Sequence, residues 1–153
     1  MRTQDIESLE KILGYTFKNK DLLIKALTHK TYAFEASTPI EYNERLEFLG
    51  DSILNFIISE QLYMSNKYFS EGELTRRRAI SVNNKFLAER AIQLKIGDKL
   101  LLGKGEKKQN GSENKTNLAN ALEAIIGAIY LDSDMDHVKK FIMEKLYTTK
   151  FNF

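Results

Sequence analysis

Apolar residues recur along this chain at helical spacing, and almost every stretch can be assigned on that basis. Ile6, Leu9, Ile12 and Leu13 share one side of a helix predicted over Asp5–Leu13, with Gly14 as its stop. Leu22, Leu23, Ala26 and Leu27 do the same for Lys20–Thr28. Phe34 to Glu41, holding Ser37, Thr38 and the single proline Pro39, reads as a loop. A long helix runs from Asn43, a candidate N-cap, to about Asn66. Helices over Leu74–Ile80, after Gly72, and over Asn83–Leu94 follow. Leu101 to Lys115 is rich in Lys, Gly and Ser and reads as a mobile loop. Thr116–Leu131 is an apolar helix, and Met135–Tyr147 is the last. The pattern predicts an all-α fold with about 60–70% helix and no strand–helix alternation, which argues against a phosphate-cradling α/β fold.

Composition narrows the class. The 153 residues suit one ordinary domain, and 42% hydrophobic with 29% charged residues suits a globular core. The chain has no cysteine, which removes disulfides and thiolate metal sites and points to a reducing compartment. The polar start, Met1 to Lys11, does not look like a signal peptide. The longest apolar run, Ala124 to Leu131, is far short of a membrane span. The expectation is a soluble, cytoplasmic protein. Net charge is only +2, so a basic, nucleic-acid-binding surface would have to be local.

The chemistry-bearing stretch is Asn43 to Ser52, NERLEFLGDS. Glu44, Glu47 and Asp51 fall within about 60° of one another on a helix, while Leu46, Leu49 and Ile53 lie opposite. Like charges so placed repel, and a cation or a shared proton relieves them. Taken alone, this helix is better accounted for by a solvated acidic face. In the Thr116–Leu131 helix, however, Asn120 and Glu123 interrupt a surface apolar on nearly all sides, as in a buried helix. A buried carboxylate there needs a basic partner or a metal ion shared with the first helix. Oxygen ligands from two facing helices suit Mg²⁺. His29 and His137 belong to no catalytic set and read as structural or surface residues.

The stretch Asn43–Ser52 resembles the signature of ribonuclease III without a mismatch. Gly14–Phe17, Ala26–Lys30, Glu71–Leu74, Leu102–Glu106 and Ala121–Asp132 resemble that family in the same order, so the likeness covers nearly the whole chain. The resemblance implies the helical, dimeric endonuclease-domain fold. It implies a divalent-metal-dependent enzyme that hydrolyses phosphodiesters of double-stranded RNA in rRNA and mRNA processing, leaving 5′-phosphates and 3′ overhangs. It casts Glu47, Asp51, Asn120 and Glu123 as the ligand set, with Asp51 and Glu123 catalytic. Glu44 and Glu71 would hold metal-bound water. The ion would be Mg²⁺, with Mn²⁺ as a substitute and no organic cofactor. Arg78 matches a family position near the RNA and the active site; Arg76, Lys104 and Lys107 are further candidate RNA contacts, and a plain solvated surface is the competing reading of each basic cluster. Phe48 would enter a socket on the partner subunit of a homodimer; burial in its own core is the competing reading.

One position departs from the family. Asn120 stands where it has an acid, so one of four negative ligands is lost. An amide oxygen still ligates a hard cation, but attracts it less. Three readings remain: an enzyme with weakened metal affinity, a catalytically silent RNA-binding or ribosome-associated dimer on the same fold, and a substitution made to trap substrate. A di-iron carboxylate bundle would need Glu-x-x-His motifs, and none occurs. A plain helical interaction domain leaves the ordered family segments unexplained. Residues 1–153 are expected to form one nuclease domain without the double-stranded-RNA-binding domain of bacterial members, ending in a frayed Thr148–Thr149–Lys150 tail.

Overall fold

The structure, a computed structural model, describes residues 1–147, and the expected frayed tail lies outside them. The chain forms α1 (Thr3–Leu13), α2 (Lys20–Leu27), α3 (Lys30–Glu35), α4 (Glu44–Ser65), α5 (Glu71–Ser81), α6 (Asn84–Gln93), α7 (Lys104–Lys108), α8 (Lys115–Asp132) and α9 (Met135–Lys145). Short 3₁₀ turns occupy Gly97–Lys99 and Gly111–Glu113. No helix among the described residues is long and apolar enough to cross a membrane.

Helix α8 is the axis of the molecule. From Leu118 to Ile129 every residue except Asn120 is buried, and α4, α6, α2 and α9 all pack around it. Its start is capped by Asn114, which accepts the Asn117 N–H at 3.0 Å. At its other end the Asp132 carboxylate accepts the Tyr15 hydroxyl (2.7 Å) and the backbone N–H groups of Lys18 (2.8 Å) and Asn19 (2.9 Å). Burial, then the Asp132 hydrogen bond, push the Tyr15 phenol up to about 12.

Among the described residues, α4 and α8 form the most extensive helix pair. A methyl group at Gly50 would collide with the Glu123 carbonyl oxygen, and one at Gly127 would lie 2.5 Å from the Leu46 carbonyl oxygen. The two backbones therefore touch through facing glycines, as small residues permit.

Several sequence expectations shift. The helix expected from Leu74 begins at Glu71, because the Ser70 side chain accepts the Glu73 N–H (3.2 Å) and Glu71 and Glu73 supply an acidic first turn. Gly72 lies inside it. Asn43 precedes α4 but makes no side-chain cap; it is buried, and its amide donates to the Ala26 carbonyl oxygen at 3.3 Å, tying α4 to α2. The last helix ends at Lys145 rather than Tyr147. The segment Leu101–Lys115, expected as a mobile loop, holds α7 and a 3₁₀ turn. Tertiary hydrogen bonds order it. Leu101 pairs with the chain at Thr28 in an isolated parallel bridge. Thr31 Oγ1 accepts the Gly103 N–H at 3.0 Å, and the Glu35 carboxylate accepts the Lys104 N–H at 3.0 Å. The Asn117 amide donates to Glu106 (2.8 Å) and to the Gly111 carbonyl oxygen (3.1 Å). Helix α3, which provides Thr31 and Glu35, is six residues long, too short to show a period, and takes the first two residues of the expected Phe34–Glu41 loop.

The glycine contact generates a test. Gly127→Ala should cost about 1–3 kcal/mol, since the obstructing atom is backbone and cannot rotate away. Gly105→Ala, in α7, where an added methyl meets nothing within 4 Å, should be neutral or stabilising by up to about 1 kcal/mol. Thermal melting of both variants checks this; a Gly127→Ala protein melting with the wild type would remove the contact from the account.

Candidate functional site

The glycine contact brings the polar face of α4 to the one polar stripe of α8. Glu44, Glu47, Phe48 and Asp51 of α4, Asn120 and Glu123 of α8 and Asn84 of α6 line one open cleft of about 470 Å³. Thus Glu47, Asp51, Asn120 and Glu123, expected from the sequence to converge, do share a wall. Glu44 joins them at the rim, exposed and 3.5 Å from the Lys30 ammonium. Glu71 does not join them. It lies at the start of α5 and lines a separate groove with Arg78, Ser59 and Tyr63.

Glu123 is the innermost acid, 6% exposed. Its charged neighbours are Asp51 and Glu47, and neither is basic. Burial, then a hydrogen bond with Asp51, then the negative charges of Asp51 and Glu47 push its carboxyl up to about 8. Glu47 is also raised, by burial first and then by Glu44 and Asp51. Glu123 therefore favours its protonated form at neutral pH. Asparagine amides hold the two outer acids. Asn55 Nδ2 donates to Asp51 Oδ1 at 3.1 Å and to the Asp51 carbonyl oxygen at 2.8 Å. The Asn120 amide has one terminal atom 3.3 Å from Glu47 Oε1 and 3.3 Å from the Thr116 carbonyl oxygen; both are acceptors, so that atom is assigned as the nitrogen and donates to them.

Among the described residues no three His, Asp or Glu side chains are gathered tightly enough to hold a metal ion. The acids line the cleft as separate side chains, linked by a proton and by amides. Their chemistry nonetheless fits a hard cation: the donors are all oxygen, and the buried acid has no basic partner at hand.

The expected RNA contacts divide. The Arg78 guanidinium donates to Ser59 Oγ at 2.9 Å and faces the α4–α5 groove. Arg76 is engaged by Glu73 at 2.8 Å. Arg77 shares Glu73 at 2.6 Å and lies over the Phe69 ring. Lys104 and Lys107 are exposed on α7. Phe48 is 78% exposed, so it is not part of its own core. Beside it a cavity of about 530 Å³ is lined by Lys25, Glu44, Arg45, Leu46, Leu49 and Leu131. His29 caps α3 and His137 pairs with Asp134 at 2.7 Å on the surface; neither lines the acid cleft. Asn84 escaped sequence reasoning. Its only signal was the Asn83–Asn84 doublet at a helix start, and the cleft it enters is formed by residues distant in sequence.

Comparison with known proteins agrees with this architecture. A model described as ribonuclease-III-like matches residues 19–150. The chain is 48% identical over 139 residues to Ribonuclease 3 of Buchnera aphidicola subsp. Baizongia pistaciae, covering 91% of this chain and 59% of that protein. It is 45% identical over 151 residues to Ribonuclease 3 of Carboxydothermus hydrogenoformans, covering 98% and 64%. It thus spans about three fifths of the length of these relatives. The nuclease domain of ribonuclease III from Campylobacter jejuni, solved at 2.2 Å, superposes with a TM-score of 0.89 at 38% identity, over 100% of this chain and 99% of that one. A second structure of that domain, described as flexible in a region involved in dimer formation, gives 0.88 at 40% identity, over 95% and 98%. With conserved architecture across both chains and a family match over most of its length, the chain belongs to the ribonuclease-III-like family and carries the fold of its nuclease domain.

Proposed function

We propose that this chain is the nuclease module of a divalent-metal-dependent endoribonuclease that hydrolyses double-stranded RNA as a homodimer. The observation that carries the reading is Glu123: a buried carboxyl, with no basic partner, turned toward Asp51 and Glu47 across the glycine contact. Glu47, Asp51 and Glu123 would hold the ion, with Glu44 at the rim; Mg²⁺ is the expected ion and Mn²⁺ its substitute. When bound, the ion supplies an activated water and neutralises charge on the scissile phosphate. The chain's own groups do the rest. The three acids fix where the phosphate can sit, the α4–α8 contact sets their spacing, and Asn84 closes the third side. Exposed Lys104 and Lys107, with Arg78, would meet the phosphate backbone, the main source of duplex affinity. Arg76, already paired with Glu73, contributes less. Glu71, outside the cleft of its own chain, would act on bound water only from another position in the assembly. The cysteine-free sequence suits a cytoplasmic protein.

Exposed Phe48 beside an empty-sided cavity supports a two-fold dimer, each Phe48 entering the other subunit's cavity. The second reading, a silent duplex-binding dimer, draws support from Asn120, whose neutral amide is turned to Glu47.

Three measurements follow. Long duplex RNA incubated with Mg²⁺ or Mn²⁺ should be cut, Glu123→Gln should cut at least about 100-fold more slowly, and Asn120→Asp should cut faster. Binding without cleavage by the wild type would select the silent dimer. In sedimentation, Phe48→Ala should yield monomers; an unchanged dimer would count against the socket. The third concerns pH. Folded Glu123 keeps its proton up to about pH 8, whereas unfolded it ionises in the usual carboxylate range. The folded state thus binds more protons in that window, so metal-free stability falls as pH rises toward about 8 and levels beyond it. Glu123→Gln should flatten this slope in metal-free melting curves; an equally steep slope would refute the assignment.

A further inference from the structure

Asn120 invites a role other than that of a weakened ligand. One terminal atom of its amide lies 3.3 Å from both Glu47 Oε1 and the Thr116 carbonyl oxygen, and because both neighbours are acceptors the hydrogen-bonding pattern assigns that atom as the nitrogen. A carboxylate at this position would set acceptor against acceptor and place a second negative charge against Glu47. It would need a cation or a proton to stay there. An amide needs neither. The same device stands on the facing helix, where Asn55 donates to the carbonyl four residues back and to the Asp51 carboxylate. Asn120 likewise donates to the carbonyl four residues back and to Glu47, here across the helix pair. Two amides thus hold the two outer acids, one from within α4 and one from α8.

We propose that Asn120 is a positioning clamp: its amide N–H group fixes the Glu47 carboxylate in the absence of metal, and a divalent cation must compete with that clamp for Glu47. The statement about cations rests on the metal-centre reading above; the clamp itself does not. The consequence is a cleft ordered before any ion arrives and a lower affinity for the ion once it does. The neutral amide contributes by its nitrogen, so it need not offer its oxygen to the cation at all.

The test uses the intact chain, stripped of metal by chelation, in five forms: wild type, Asn120→Asp, Asn120→Ala, Glu47→Gln and the Glu47→Gln/Asn120→Asp double variant. Metal-free melting and calorimetric titration with Mn²⁺ are the readouts. Asn120→Asp should lower the metal-free Tm by about 2–4 °C. With Glu47→Gln already present the same substitution should cost much less, because amide and carboxylate have merely exchanged places. Asn120→Asp should bind Mn²⁺ about tenfold more tightly than wild type, and Asn120→Ala at least as tightly as wild type. An unchanged or higher metal-free Tm for Asn120→Asp, or the same cost with and without Glu47→Gln, would overturn the clamp. Weaker Mn²⁺ binding by Asn120→Ala would make Asn120 an oxygen ligand and overturn it too. If neither wild type nor Asn120→Asp binds Mn²⁺, the metal-centre reading fails, and the clamp is decided by the melting cycle alone.

Discussion

Everything in the cleft depends on two helical backbones being allowed to touch. Gly50 and Gly127 face each other's helices so closely that a single methyl group would strike a carbonyl oxygen. Ordinary helix packing keeps axes about 8–10 Å apart through intervening side chains. Here glycine removes them, and carboxylates rooted on different helices come to line one wall. The contact involves the carbonyl of Glu123 itself, so the buried acid and the point of closest approach are the same residue. Spacing of the acids and stability of the core are therefore not separable properties of this chain.

The second organising fact is how negative charge is contained. A buried carboxyl beside two others is unfavourable in its ionised form, and three physical remedies exist: a proton, a hydrogen-bond donor, or a cation. The chain itself supplies the first two: burial and the neighbouring Asp51 and Glu47 favour the protonated form of Glu123, and Asn55 and Asn120 donate to Asp51 and Glu47. A cation would displace the proton and so arrive with a proton-release signature.

How far this could be read from the sequence varied with the origin of each feature. Helices α4 and α8 announced themselves, since their polar stripes broke strong apolar periods. The acids of α4 could by themselves have faced solvent; their convergence with Asn120 and Glu123 follows from the buried stripe of α8 together with the family resemblance. The glycines that enforce it carry no local signal in the sequence, because a close approach is a property of pairs. Helix α7 was missed for a related reason. Its Lys, Gly and Ser composition suggests a loop, and its order comes from Thr31 and Glu35, some seventy positions earlier. Asn43 was expected to cap locally and instead spends its amide on α2. Glu71 was grouped with the acids by family likeness alone, and no periodicity linked it to them.

The latch on α7 carries one more consequence. Glu35 captures the main-chain N–H of Lys104, and Thr31 that of Gly103, while the lysine side chain stays in solvent. The frame of this basic segment is thus indifferent to which side chain stands at position 104. Charge at that position can change while the backbone beneath keeps its shape, so the electrostatics of this surface and the integrity of the fold are separable under mutation.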